Sequence, residues 1–465
     1  MVVSIAHKLA YAVGNLSYSV ILQLISSFFV FYATSVLHIS GSLTGFLVFL
    51  SVVWDAITDP LMGYISDNTR SMRFGKRHLY MIIGIIGLCI CNTLLWSLRP
   101  EYNYKFNVVA IFLFLMLCKT FITVFSTPHV ALGAEMTTDY NERTSIQTFK
   151  SAFFLVGLAL PTVLGMLVFF RPTAMYPQGQ LNPDAYLPMG IGISLVSFIC
   201  AMPCIFATTK YMVKVPKSEK REKFSYKKIM SEMVSPLKLR ECRYVIFGYL
   251  FQNVSTAIVT TLNMHVFTYT FHLTNTDVSI ITGVLLVASV MSQSFWFKRT
   301  VRRNKRRAML EALVMAGFGS TIFLFLVLVR QYMFGNASVF IPFSIVMGYG
   351  MGGMISIPQT MLVDTIDLDE YISGKRKEGS VFGCMTFFYK LSQSATIFLT
   401  GIFLDLIGFD ASLGMQSDRI CDMLGLSIPI AMYITLGLGF YCFKKYSLTK
   451  EKVLEIQQNL RGNAN

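Results

Sequence analysis

The chain has 465 residues, of which 54% are hydrophobic and only 14% are charged. This composition excludes an ordinary soluble domain of that length, because globular proteins carry about 25% charged residues. The net charge of +15 is compatible with nucleic-acid binding. However, the positions of the charges argue against that class, and we expect no nucleic-acid partner.

Apolar runs long enough to cross a bilayer as helices, about 20 residues each, recur along the chain. We predict twelve of them and therefore an all-α, polytopic membrane protein. The predicted spans lie at about 9–36, 43–66, 79–98, 108–130, a fifth ending near 170, 190–208, 244–271, 278–297, a ninth ending near 329, 339–363, 380–407 and 423–443.

The basic residues are distributed unevenly between the predicted loops. Most of the 40 Lys and Arg residues fall at the N-terminus, in alternate loops or in the C-terminal tail. This asymmetry is typical of loops on the cytoplasmic side, so we expect both termini in the cytoplasm. The compact loops favour a bacterial inner membrane. The exceptions are Arg99, Lys105, Arg171, Arg330 and Arg419 in the opposite loops, and Lys119 and Lys390 inside predicted helices.

The chain divides into two halves with the same plan. We predict a six-helix bundle at 1–209, a basic cytoplasmic linker at 210–243, a second six-helix bundle at 244–443 and an amphipathic tail at 444–465. Polar loops are predicted at 131–150 and, in the matching place, at 364–379. This plan indicates a two-bundle transporter that binds its substrate near the bilayer midplane. A channel is the structural rival, but no filter-like loop is present.

Two carboxylates in the second predicted span point to ion coupling. Asp55 and Asp59 are four residues apart, so on a helix they share one face. Two such groups in low dielectric cannot both stay charged without a cation. A bound H⁺ or Na⁺ would neutralise the pair and change which conformation is stable. The adjacent Thr58 offers another oxygen ligand. The alternative is a purely structural salt bridge to a buried lysine.

The motif W-D-A-x-x-D-P-x-x-G at 54–63, followed by Asp67, Arg70 and Lys76, resembles the glycoside–pentoside–hexuronide:cation symporter family, which is melibiose permease-like. The resemblance covers nearly the whole chain. Further matches lie at Lys8–Tyr11, at 127–135 with Glu135, at 142–144 with Glu142, at 364–379 and at Lys390.

This resemblance implies a major-facilitator fold and the uptake of a sugar or glycoside driven by H⁺ or Na⁺. It implies that Asp55 and Asp59 form the cation site with help from Thr123, and that Lys390 competes with the cation for the carboxylates. It also places Asn253, Gln359 and Thr386 among the polar residues of the substrate cavity.

The departures from the family pattern concern charge. Ser19 and Ser126 replace acidic residues, and Lys150 replaces an arginine. Lys119 lies on the predicted fourth helix, on the same face as Thr123 and Ser126. We therefore expect an anionic substrate such as a hexuronide, bound by lysines. The alternative is that Lys119 pairs with an acid of the second helix and the substrate is neutral. Loss of an acid also favours H⁺ over Na⁺, since Na⁺ needs several oxygen ligands.

Charged loop residues predict a gate. Acidic and basic side chains of the two halves are placed to form ion pairs that close the cytoplasmic side, and weak surface pairs suit contacts that must break. The predicted gate residues are Asp67, Arg70, Arg73 and Arg77 in the first half, and Asp364, Asp367, Glu370 and Arg376 in the second.

Other functional classes fit less well. A lysolipid or amphiphile transporter, a neutral-oligosaccharide transporter and a non-transporting membrane sensor remain as alternatives. An enzyme is disfavoured, because Ser126 has His129 three residues away but no evident third partner. We expect no cofactor other than the coupling ion, no metal beyond Na⁺, contact with lipid and substrate, and a monomer.

Overall fold

The computed structural model describes residues 3–67, 69, 75, 77–137, 140–211, 231, 234–332, 337–374, 378–410, 413 and 415–462. In this part of the chain there are 13 α-helices and no strand, which confirms the all-α prediction. The helices are α1 (Ile5–Phe31), α2 (Gly41–Asp67), α3 (His78–Leu95), α4 (Tyr104–Glu135), α5 (Tyr140–Leu164), α6 (Tyr186–Ala207), α7 (Arg240–His265), α8 (Asn275–Arg302), α9 (Lys305–Leu328), α10 (Ile341–Ser373), α11 (Glu378–Leu406), α12 (Asp418–Lys445) and α13 (Lys450–Gly462).

Among the described residues, 11 of these helices are long and apolar enough to cross a membrane. They correspond to eleven of the twelve predicted spans. The one remaining predicted span, at 380–407, coincides with α11, which has 29 residues but is not one of the eleven helices. Its middle carries Lys390 followed by Ser392, Gln393 and Ser394, and these side chains lower its hydropathy.

The two predicted polar loops are shorter than expected, because helices extend into them. Helix α5 already begins at Tyr140, inside the predicted loop 131–150, and α10 continues to Ser373, inside the predicted loop 364–379. A helix satisfies its backbone hydrogen bonds internally, so it continues past the apolar run into polar sequence. Gly374 ends α10 at φ 66, a left-handed conformation that favours glycine.

The chain forms two compact units. Unit 1 comprises Met1–Ser225 with the short pieces Gly401–Leu406 and Asp410–Gly414, and unit 2 comprises the remainder. Nearly all of the predicted linker 210–243 that precedes residue 234 lies outside the described residues.

In unit 1, α1 is the central helix and packs on α5 and α6, while α2 and α3 pack on α4. The core where α1 meets α4 is built around Tyr11, whose ring stacks on that of His129 at 4.4 Å between centroids. The Tyr11 hydroxyl donates to the backbone carbonyl of His129 at 3.1 Å. This pairing lets two polar aromatic side chains be fully buried.

The two units repeat one backbone detail. After α1, Leu37 N donates to Tyr32 O, and His38 adopts φ 54. After α7, Phe271 N donates to Val266 O in the same way, and His272 adopts φ 51. The sequences TSVLHIS at 34–40 and TYTFHLT at 268–274 share this pattern. The first helix of each half therefore ends in the same turn.

In unit 2, α10 packs on both α8 and α9 through a row of glycines. A Cβ atom at Gly350 would lie 2.7 Å from the backbone nitrogen of Ala316 and 2.9 Å from its Cα. Glycine thus allows the backbones of α9 and α10 to approach closely, as small residues do between membrane helices.

We predict that Gly350→Ala lowers the free energy of unfolding by about 1–3 kcal/mol, because backbone atoms of α9 cannot move aside as a side chain can. Gly437→Ala on α12 is the matched control, since a Cβ there meets no atom within 4 Å. Thermal unfolding of both purified variants in detergent measures the difference. Equal midpoints for Gly350→Ala and the control would contradict the prediction.

Candidate cation site and gate

The predicted carboxylate pair lies on the inner face of α2, with one side toward α4. The hydroxyl of Thr123 on α4 is 3.1 Å from Asp55 Oδ1 and 2.7 Å from Asp59 Oδ1. Asp55 is 4% exposed and Thr123 is 1% exposed. Three oxygens from two helices thus converge inside a predicted membrane span. Oxygen atoms are the ligands that hard cations prefer, and a carboxylate can also take up a proton, so this cluster is the candidate cation site.

The packing of α2 on α4 holds this arrangement. One residue before Asp55, Trp54 Nε1 donates to Thr120 Oγ1 at 2.8 Å, which fixes the register of the two helices. Thr58, the other predicted ligand, is buried, and its hydroxyl donates to the backbone carbonyl of Asp55 at 3.4 Å. The role of Thr58 in cation binding stays a prediction.

Lys119 is part of the same cluster. It lies one turn before Thr123 on α4, and its Nζ is 3.9 Å from Asp55 Oδ2. Its side chain is 14% exposed, against 5% for the side chain of Asp55. A buried lysine is costly unless an opposite charge compensates it, and this carboxylate provides one. The geometry therefore agrees with the alternative in which Lys119 pairs with an acid of α2.

The other predicted substrate residues of unit 1 lie on α1, α4 and α5. Ser19 is fully buried, and its hydroxyl donates to the carbonyl of Leu16 at 3.1 Å while the side chain packs against Gly157 of α5. Ser126 and Lys150 are half-buried. The roles of these three residues in substrate binding stay predictions.

Four predicted substrate residues belong to unit 2. Asn253 on α7 is nearly buried, and its amide donates to the carbonyl of Tyr249 at 2.7 Å. Lys390 on α11 is half-buried, whereas Gln359 on α10 and Thr386 on α11 are exposed. Exposed polar side chains on otherwise apolar helices are suitable for a water-filled cavity, and these roles also stay predictions.

Arg77 is the one predicted gate residue of unit 1 whose side chain is described. It is 6% exposed. Its guanidinium donates to Ser66 Oγ of α2 at 2.6 Å and to Glu135 Oε1 of α4 at 2.9 Å. Arg77 thereby links the ends of α2 and α4 within one unit. The side chains of Asp67, Arg70, Arg73 and Arg376 lie outside the described residues.

Three predicted gate residues of unit 2, Asp364, Asp367 and Glu370, lie near the C-terminal end of α10. Asp364 Oδ1 accepts a hydrogen bond from Lys305 Nζ at 2.7 Å, and Asp364 Oδ2 accepts one from the Tyr446 hydroxyl at 3.3 Å. Burial and the nearby carboxylate of Asp364 raise the pKa of Tyr446 above its ordinary value. Tyr446 therefore remains a hydrogen-bond donor across the physiological pH range.

The terminal helix α13 reaches the same region. Gln457 Nε2 of α13 donates to Asp367 Oδ2 at 2.8 Å, while Glu370 is half-buried. Asp364 and Asp367 are thus hydrogen-bonded within unit 2. Pairing of these residues with basic residues of the first half stays a prediction.

Sequence reasoning did not assign several of these partners. Lys8 and Glu142, which join the starts of α1 and α5 at 3.0 Å, carried only the family resemblance, and so did Glu135. Lys305 stood within a basic loop without a partner assigned to it. Acidic residues are interspersed among the basic residues of the predicted loops, and positive-inside topology does not explain them. These acidic residues were the available signal for such ion pairs.

A family model described as MFS/sugar transport protein matches residues 10–450. The chain belongs to this family. The major-facilitator fold and the melibiose permease-like resemblance predicted from the sequence are thereby confirmed. Members of the family are transporters, so the chain is not an enzyme, and it is an integral, multi-pass membrane protein.

Curated relatives of this MFS transporter are symporters. It is 25% identical to the uncharacterized symporter YjmB of Bacillus subtilis, over 98% of this chain and 95% of the relative. It is 23% identical to the inner membrane symporter YicJ of Escherichia coli, over 99% and 95% of the two chains. It is 22% identical to the sodium-dependent lysophosphatidylcholine symporter 1-A of Danio rerio, over 96% and 86%.

Solved structures show the same fold. The xylose transporter XylE of E. coli superposes with a TM-score of 0.59 at 15% sequence identity, covering 97% of this chain and 98% of XylE. A bacterial homolog of the human lysosomal transporter Spinster gives a TM-score of 0.65 at 11% identity, covering 97% of each chain.

Proposed function

We propose that this MFS transporter imports a sugar or glycoside by symport with a monovalent cation, H⁺ or Na⁺. The observation that carries the proposal is the contact of Thr123 with both Asp55 and Asp59. A structural ion pair needs only one carboxylate, so it does not account for two of them in a membrane span. Ionisable residues in such a span are functional-site candidates by default.

Coupling follows from charge. Without a cation, two adjacent carboxylates repel each other in low dielectric, and a bound cation removes that repulsion. The ion drives transport to the extent that its affinity differs between the two states of the carrier. Lys390 would reset the empty carrier by competing for the carboxylates.

The substrate assignment rests on the family and on the lysines. The sugar-transport family description supports a sugar or glycoside. Because Lys119 lies against Asp55, its charge is already compensated, which supports a neutral glycoside as the first candidate. Lys150, in the place of a family arginine, supports the second candidate, a hexuronide. A lysolipid is a third candidate, since the Danio rerio relative is named for one.

The cellular setting is proposed on the same basis. The name of the E. coli relative supports a bacterial inner membrane. The distribution of basic residues supports cytoplasmic termini. A candidate cation site built from residues of one unit needs no second copy of the chain, which supports a monomeric carrier.

Proteoliposomes containing the purified transporter test the proposal. With an inward pH step or an inward Na⁺ gradient, we expect a neutral glycoside to accumulate at least about tenfold above its external concentration, the factor that about 1.4 kcal/mol of coupling supplies. A glucuronide and a lysolipid serve as competitors. If none of the three substrates accumulates under either gradient, the protein is not this kind of symporter, and the membrane-sensor alternative gains support.

A further inference from the structure

We propose that Lys119 is a resident cation of the carboxylate pair, which weakens Na⁺ binding and leaves H⁺ as the coupling ion. The proposal rests on the function proposed above and concerns the same site. It assigns Lys119 to ion selection rather than to the substrate.

Lys119 lies beside the carboxylate pair. Its Nζ lies 3.9 Å from Asp55 Oδ2, while Thr123 contacts the other oxygen of that carboxyl group, Oδ1. The ammonium group is covalently tethered to α4, one turn from Thr123. Whatever other charges face the pair, Lys119 makes the site one unit less negative than its carboxylates alone.

The hydrogen-bond capacity of Thr123 favours a proton at this site. Its hydroxyl has one proton, yet its oxygen lies within hydrogen-bond distance of two carboxyl oxygens. When both carboxyls are ionised, only one of these contacts receives that proton. A proton on Asp59 turns the 2.7 Å contact into a second hydrogen bond, because the Thr123 oxygen can accept it.

The repulsion between Lys119 and a cation bound at the carboxylate pair is large enough to affect ion selection. At an effective dielectric constant of about 20, unit charges about 6 Å apart repel enough to weaken binding roughly 100-fold. This repulsion acts on H⁺ as well. However, a proton needs only one carboxyl oxygen, and the Thr123 oxygen can accept a hydrogen bond from the protonated carboxyl. Na⁺ needs several oxygen ligands and a site rich in negative charge. The positive charge of Lys119 therefore weakens Na⁺ binding more than it weakens H⁺ binding.

Lys119→Met tests the inference, because methionine keeps much of the side-chain volume without the charge. We expect Na⁺, titrated against choline, to leave the thermal midpoint of the unmodified transporter unchanged. In Lys119→Met it should raise the midpoint, with an apparent Na⁺ affinity at least about tenfold tighter. Lys119→Arg should behave as the unmodified chain does. Lys105→Met, at the exposed start of α4, is the matched control and should gain no response to Na⁺.

The outcomes are distinct. If Lys119→Met and the smaller Lys119→Gln both fold and neither gains Na⁺ affinity, or if the unmodified transporter already binds Na⁺ as tightly, the inference is wrong. If neither folds, Na⁺ binding by the unmodified transporter still decides it. Adding Asp59→Asn to Lys119→Met should abolish the new Na⁺ response, and its persistence would place the ion elsewhere. Failure of ion-driven accumulation in the unmodified transporter would instead overturn the proposed function.

Discussion

Asp55→Asn should abolish ion-driven accumulation, and Asp59→Asn should do the same. Asparagine keeps the shape of the side chain and its contact with Thr123. It removes the charge whose neutralisation distinguishes the loaded from the empty site, so the ion loses its differential affinity for the two conformations. We expect accumulation to fall at least tenfold, to the level of passive equilibration, a change that about 1.4 kcal/mol of lost coupling suffices to produce.

Exchange transport separates this loss from a loss of folding. Variants that still exchange external for internal substrate without a gradient have kept the substrate site and lost only the coupling. Asp184→Asn is the matched control, because that carboxylate is exposed and pairs with Arg99 at the surface. Its accumulation should stay within about twofold, as surface ion pairs contribute little. Full active accumulation by both α2 variants would overturn the assignment of the cation site.

Arg77→Ala should destabilise unit 1 by about 3–5 kcal/mol, because it breaks a buried ion pair with Glu135 and removes the hydrogen bond to Ser66. Arg77 is 6% exposed, and the side chain of its partner Glu135 is 17% exposed. Methionine at position 77 should be equally harmful, since the charge and not the volume is decisive. The thermal midpoint of the purified protein in detergent measures the effect.

A second substitution distinguishes charge from packing. Adding Glu135→Gln to Arg77→Ala should recover part of the lost stability, because a neutral amide then replaces the carboxylate that has lost its ion pair with Arg77. Arg99→Ala at the exposed pair with Asp184 should cost less than about 1 kcal/mol. If Arg77→Ala and Arg99→Ala have equal effects, the buried ion pair between Arg77 and Glu135 of α4 contributes no more stability than an exposed pair.

The helical fold and the core of the cation site were accessible from the sequence. Apolar runs of membrane-spanning length predicted the helices, because a helix satisfies its own backbone hydrogen bonds where the bilayer core offers no water. Four-residue spacing put Asp55 and Asp59 on one face, and the resemblance added Thr123. The predicted extents of α5 and α10 were wrong, because both helices continue into polar sequence without losing backbone hydrogen bonds.

Partners across helices were the part that sequence did not supply. Lys119 could clamp an anion or pair with α2, and the spacing on α4 allowed both. Arg77 could bond to the opposite half or within its own, and the structure gives it Glu135 and Ser66. Spacing along one helix says which residues share a face, but not which residue of another helix faces them.

By itself, the sequence determined the membrane-spanning class and the position of the carboxylate pair on one helix face, because these depend on patterns within single segments. The tertiary structure alone decided that Thr123 contacts both carboxyls, that Lys119 lies 3.9 Å from one of them, and that Tyr446 and Gln457 reach the acids of α10. Those contacts depend on the register and rotation of packed helices. Register and rotation are set by the fit of whole helix surfaces, such as Trp54 against Thr120, and not by any local pattern.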